Sequence, residues 1–185
     1  MNTGYPTVTI DVILDRHTAK EVLGAVLHSI LFHRLFGTVK PQTFEVLDVT
    51  MPGVADPEME QLVNDKVDVF WRGIESGANK RGQITVTFSE KRPKKAWFQV
   101  YMGEEEVTWE QWVVNAELRQ PKSEQDRTPT VPNPTSTALT SALRTMLTYT
   151  SSERGRNAVP LITNASGISP FPIRIAVRIG GVEIG

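Results

Sequence analysis

The chain of 185 residues is 39% hydrophobic, enough apolar material for one domain with a proper core, and its 20 basic against 21 acidic residues give a formal net charge of −1. That balance supplies no global field for nucleic acid or an anionic membrane, so any basic patch has to be local. The absence of cysteine excludes disulfides, thiolate metal sites and cysteine nucleophiles and makes the cytosol the default compartment, and no apolar run approaches the roughly 20 residues of a spanning helix.

Residues 7–14 alternate, with Val8, Ile10, Val12 and Leu14 on one face, and predict a strand. Residues 18–36 follow as a helix in which Val22, Leu23, Val26, Leu27, Ile30, Leu31 and Leu35 recur at helical spacing, with Gly37 at the C-cap position. The width of that stripe marks it as the central core helix. His28 and His33 lie on it at a spacing that separates them around the axis, which argues for framework histidines over a metal pair. Residues 43–50 read as a second strand, closed by Met51-Pro52-Gly53. Asp56-Pro57-Glu58 is a helix start, with a capping Asp, Pro at the first helical position and an acid in the first turn. Met59, Leu62, Val63, Val67, Phe70, Trp71 and Ile74 form its stripe as far as Ser76, before Gly77.

Residues 83–88 and 113–118 read as strands, and residues 91–112, KRPKKAWFQVYMGEEEVTWEQW, lie between them with three of the four tryptophans. If the basic and acidic flanks form two arms of a hairpin, opposite charges face each other and the aromatics are carried outward. Trp109 and Trp112 then anchor the returning strand, at least one of them in the core, and Trp97 and Phe98 form a binding tip, since exposed Trp is enriched at binding hot spots. Glu104, Glu105 and Glu106 are consecutive, point to alternate faces in an extended segment and read as a solvated acidic turn. Residues 120–134 are a Pro-rich surface loop. A third helix spans 135–149 with Leu139, Ala142, Leu143, Met146 and Leu147 inward; residues 151–157 are a loop, 159–163 a short strand and 173–179 a last strand. The order βαβαβββαββ describes one α+β domain over residues 1–185, a mainly antiparallel sheet with three helices.

No G-x-S-x-G elbow, phosphate loop or H-E-x-x-H is present, and Asn164-Ala165-Ser166 matches the glycosylation pattern only as a chance match. The reading is a binding protein that is not an enzyme and uses no cofactor. An alternative is a peripheral membrane or nucleic-acid module using the Lys/Arg-rich loop with its aromatics.

Ala25-Val26-Leu27-His28 with Leu31-Phe32-His33-Arg34, the strand Gly82-x-Ile84-x-Val86-x-Phe88, Trp97-Phe98 after a Lys-rich run, and Trp109-Glu110-x-Trp112 together resemble the autophagy-related protein 101 family over about residues 8–118. The resemblance implies a HORMA-like fold, with three helices on one face of the sheet. It implies a non-enzymatic scaffold subunit of the autophagy-initiation kinase complex that heterodimerises with the HORMA domain of autophagy-related protein 13 and stabilises it. Cytoplasmic location, with recruitment to the phagophore assembly site on induction, follows from the same resemblance, as does the lack of nucleic-acid binding and of stable membrane insertion. The family's Trp and Phe finger, which recruits downstream factors, maps onto Trp97 and Phe98; here the two are adjacent, whereas the family separates them by a Pro. HORMA dimers meet through the third helix, whose outward residues Thr137, Thr140, Arg144 and Thr148 are candidates for the partner interface. The chain stops soon after its last strand, which leads to the expectation of a fixed, open-like conformer that binds by its surface.

Overall fold

The alternating strands and the amphipathic helices solve one problem together, since each has a single apolar face to cover. The computed structural model describes residues 4–95, 101–119, 133–164 and 166–185. Its elements are β1 (Thr7–Leu14), α1 (Ala19–Arg34), β2 (Pro41–Val46), β3 (Val49–Val54), α2 (Pro57–Ser76), β4 (Arg81–Lys95), β5 (Tyr101–Leu118), α3 (Pro134–Ser151), α4 (Glu153–Ala158), β6 (Ile173–Ile179) and β7 (Val182–Glu183). The main sheet has the order β1-β5-β4-β6-β7, parallel between β1 and β5 and antiparallel elsewhere, and β2 pairs with β3 in a separate hairpin.

The register aligns apolar residues in rows across four strands. Val8, Trp112, Val86 and Ile175 form one row, and Ile10, Val114, Ile84 and Val177 the next, all of them buried. Each aliphatic side chain fully removed from water contributes about 1.5–3 kcal/mol. α1 lies between α2 and α3 over this face, and its stripe from Val22 to Leu31 is almost fully enclosed. The opposite face is open and polar. There Asn115 Nδ2 donates to Asp11 Oδ1 at 3.0 Å and Gln83 Nε2 to Asn115 Oδ1 at 2.9 Å.

The α2 start is as its sequence reads: Asp56 accepts the Met59 N–H at 3.0 Å, with Pro57 at the first helical position. Four expectations need correction. Residues 43–50 are not one strand but parts of β2 and β3, joined by Leu47 and Asp48 at φ 49° and 63°. Two left-handed residues are what a tight two-residue hairpin requires, and Leu-Asp lacks the Gly or Asn that usually announces it. Most of the stretch 151–157 read as a loop belongs to α4, so the chain has four helices among the described residues. It is short and starts on the Ser152 hydroxyl, which accepts the Gly155 N–H at 3.0 Å. Residues 159–163 do not form a strand, and Leu161 is largely exposed. Gly37 does not cap α1, whose C-cap is Leu35; its N–H donates to Ile168 O at 3.0 Å, and a Cβ there would sit 2.0 Å from Gly167 O.

Candidate partner-binding surfaces

Strands β4 and β5 outrun the sheet. β6 pairs with residues 82–88 of β4 and β1 with residues 111–118 of β5, so residues 89–95 and 101–108 pair only with each other. Seven residues of strand span about 20 Å, so a two-stranded ribbon runs that far beyond the sheet, its lower part beside residues 161–164 and 169–172. The register sets Lys91 opposite Glu106 and Arg92 opposite Glu105, as the two-arm reading of the flanks requires. The ion pair Arg92 actually forms is with Glu90 on its own strand. Glu104, Glu105 and Glu106 are exposed in β5, as strand residues in place of the expected turn. At the base, the Ser89 N–H donates to Pro172 O at 3.1 Å. The paired residues Lys95 and Tyr101 bound the connection holding Trp97 and Phe98, and both of those aromatics lie outside the described residues.

Trp109 and Trp112 are both buried, although three positions apart on one strand. The cause is a register shift: Phe88 faces Glu110 and Ser89 faces Thr108, leaving Trp109 as the extra residue of a bulge. The bulge turns Trp109 onto the ring of Phe88 at 5.6 Å and that of Phe171 at 5.2 Å.

Between these tryptophans stands the most concentrated polar arrangement of the interior. Arg34, from the end of α1, donates through Nε to Glu110 Oε2 and through Nη2 to Glu110 Oε1, both at 2.7 Å. Arg34 Nη2 also donates to Gly155 O at 2.8 Å, and Trp112 Nε1 donates to Glu110 Oε2 at 2.7 Å. The guanidinium lies 5.6 Å from the Trp109 ring and 5.7 Å from the Tyr149 ring. Burial, reinforced by the Glu110 carboxylate, pushes the Tyr149 phenol up to about 12. The Tyr149 hydroxyl senses that carboxylate electrostatically, without a hydrogen bond of good geometry. This clasp joins α1, β5 and the α3–α4 bend, and Gly155 fits there because a Cβ would fall 1.9 Å from Tyr149 O. Sequence reading missed the pairing, but a signal existed: Arg34 is in helical phase with Leu27 and Ile30, and Glu110 in strand phase with Trp112 and Val114.

α3 begins on the Asn133 side chain, which accepts the Thr135 N–H at 2.9 Å, and buries Thr135, Leu139, Ala142 and Met146. Thr137, Thr140, Arg144 and Thr148 are all exposed on its outer face. Leu147, expected inward, is 52% exposed, while Ala142 and Met146 of the same helix, which packs on β1 and α1, are buried. The hydroxyls of Thr137, Thr140, Thr145 and Ser151 donate to carbonyls of the preceding turn, those of Asn133, Ser136, Ser141 and Leu147. Arg144 is the single charged side chain on the helix, whereas α2 turns Glu58, Asp65, Arg72 and Glu75 to solvent. Hydroxyls already bonded within the helix, as those of Thr137 and Thr140 are, cost less to desolvate.

The two histidines of α1 are framework residues. His28 is buried, its ring 4.8 Å from Phe44, and burial lowers its pKa against the opposing effect of Glu60. His33 Nδ1 lies 2.6 Å from Ser29 O. Among the described residues no three His, Asp or Glu side chains are grouped to hold a metal ion, and no helix is long and apolar enough to cross a membrane.

A sequence-family model described as autophagy-related protein 101 matches residues 11–166. The chain is similar to autophagy-related protein 101 of Schizosaccharomyces pombe, 37% identical over 113 residues covering 60% of this chain and 59% of the relative. It is similar also to that of Arabidopsis thaliana, 34% identical over 105 residues covering 55% and 47%, and to that of Xenopus laevis, 25% identical over 134 residues covering 64% and 60%. The matches thus span about half to three fifths of the length of these relatives.

Proposed function

The chain belongs to the autophagy-related protein 101 family, and from that premise we infer that it is a non-enzymatic scaffold subunit of the autophagy-initiation kinase complex. In this reading the fold is HORMA-like, and the protein heterodimerises with the HORMA domain of autophagy-related protein 13 and stabilises it. It acts in the cytoplasm and at the phagophore assembly site, where Trp97 and Phe98 recruit downstream factors. The observation that carries the reading is the outer face of α3, where Thr137, Thr140, Arg144 and Thr148 stand exposed with one charge among them and the Thr137 and Thr140 hydroxyls already bonded within the helix. The β4–β5 ribbon supports the second contact, because the chain between its two strands includes both aromatics.

Co-purification with the HORMA domain of autophagy-related protein 13, paired with autophagosome counts in starved cells, tests both contacts. Thr140→Glu with Arg144→Glu is expected to release the partner while leaving thermal stability unchanged. Trp97→Ala with Phe98→Ala is expected to keep the partner and the stability but abolish autophagosome formation. A large stability loss in the aromatic double variant would show core rings and defeat the recruitment role; full partner retention by the α3 variant would remove α3 from the interface.

A further inference from the structure

α3, α4 and the end of α1 meet at a corner where shape, apolarity and charge coincide. Leu147 is half exposed there and borders a hollow of about 510 Å³ that Phe36, Thr150, Arg156 and Val159 also line. One exposed leucine is ordinary on a surface, but this one continues the apolar lining of a shallow depression against which a bulky side chain can lie.

The charge around it is one-sided. α3 and α4 together carry Arg144, Arg154 and Arg156 against a single carboxylate, Glu153. All three arginines are exposed, and among the described residues none of them forms an ion pair. By contrast, Arg81, Arg92, Arg119, Arg174 and Arg178 on the sheet and ribbon each have a carboxylate partner. Unpaired guanidinium forks are suited to bidentate contact with carboxylates.

We propose that this corner is a docking site for an acidic peptide segment of a partner protein, with one bulky apolar side chain seated beside Leu147 and flanking carboxylates on Arg154 and Arg156. The guanidinium forks, suited to planar bidentate carboxylates, favour an acidic peptide, and a membrane is the outcome the vesicle arm of the test detects. The site adjoins the outer face of α3 but does not rest on the heterodimer, since most of its lining, His33, Arg34, Phe36, Arg156 and Val159, lies outside α3.

The test pans a phage-displayed library of random peptides on the full 185-residue chain alone. Selected peptides are expected to carry Asp or Glu on both sides of one Leu, Ile or Phe. Their affinity, measured by fluorescence anisotropy, is expected to fall about tenfold or more in Leu147→Asp and in Arg154→Ala with Arg156→Ala, and to weaken with salt. Both variants lie on the exposed surface and should melt with the unaltered chain. No enrichment, enrichment without acidic bias, or affinity unchanged in both variants would overturn the proposal. So would sedimentation with phosphatidylserine vesicles, lost in the same variants, in a chain that selects no peptide. Because no partner subunit is present, failure here leaves the co-purification result with autophagy-related protein 13 untouched.

Discussion

Removing the Glu110 carboxylate is the most direct way to ask what the buried clasp does. Glu110 is fully buried and accepts three hydrogen bonds at 2.7 Å, two from Arg34 and one from Trp112. Glu110→Ala strands the Arg34 guanidinium in a nearly dry site with only Gly155 O, at 2.8 Å, still accepting from it. Breaking one side of a buried pair costs about 3–5 kcal/mol, a large share of a total stability of about 5–15 kcal/mol. At about 2–4 °C per kcal/mol for a chain of this size, the melting temperature should fall by roughly 6–20 °C. The assay is a double-mutant cycle in urea with Arg34→Met, Glu110→Leu and their combination. With both charges gone no ion is left unpaired, so the double variant should lose far less than the summed single losses. Additive losses, or a Glu110→Ala variant that melts within about 2 °C of the unaltered chain, would refute the claim that the pair acts as a unit.

Two further outcomes follow from the same interior. Gly155→Ala places a methyl group 1.9 Å from Tyr149 O, so the α3–α4 bend must shift; a loss of about 1–3 kcal/mol in urea unfolding is expected, with no loss of helix content by circular dichroism. Burial holds the folded-state pKa of His28 below its ordinary 6.5, so the unfolded chain binds that proton more readily. The resulting stability is fully present above about pH 6.5 and is lost as pH falls below it, and His28→Phe should flatten that slope between about pH 7.5 and 5.5. An unchanged slope in that variant would remove His28 as the source.

Much of the fold is legible in the sequence because its signals are local. The alternation of Val8, Ile10, Val12 and Leu14, the stripe of α1 and the Asp56-Pro57 cap each follow from residues within a few positions of one another. Legibility fails where the cause lies elsewhere in the chain. Leu47 and Asp48 turn left-handed within a hairpin that is held from outside, with Ser136 Oγ donating to Leu47 O at 3.1 Å. Gly37 looks like a helix cap until the segment at Gly167 and Ile168 comes alongside it. Leu147 is in phase with an inward stripe, yet the packing of α3 on β1 and α1 buries Met146 and leaves Leu147 exposed.

The run from Lys91 to Trp112 divides along the same line. Its opposed charges, its aromatic content and its place between two strands are properties of the sequence, and the two-arm pairing follows from them. That Trp109 and Trp112 are both interior was decided by a bulge opposite Phe88, because a one-residue shift changes which face a strand residue serves. That Arg34 and Glu110 meet, across 76 positions of chain, was decided only by packing. A buried charge needs a partner of opposite sign, but nothing local in the chain says which one arrives.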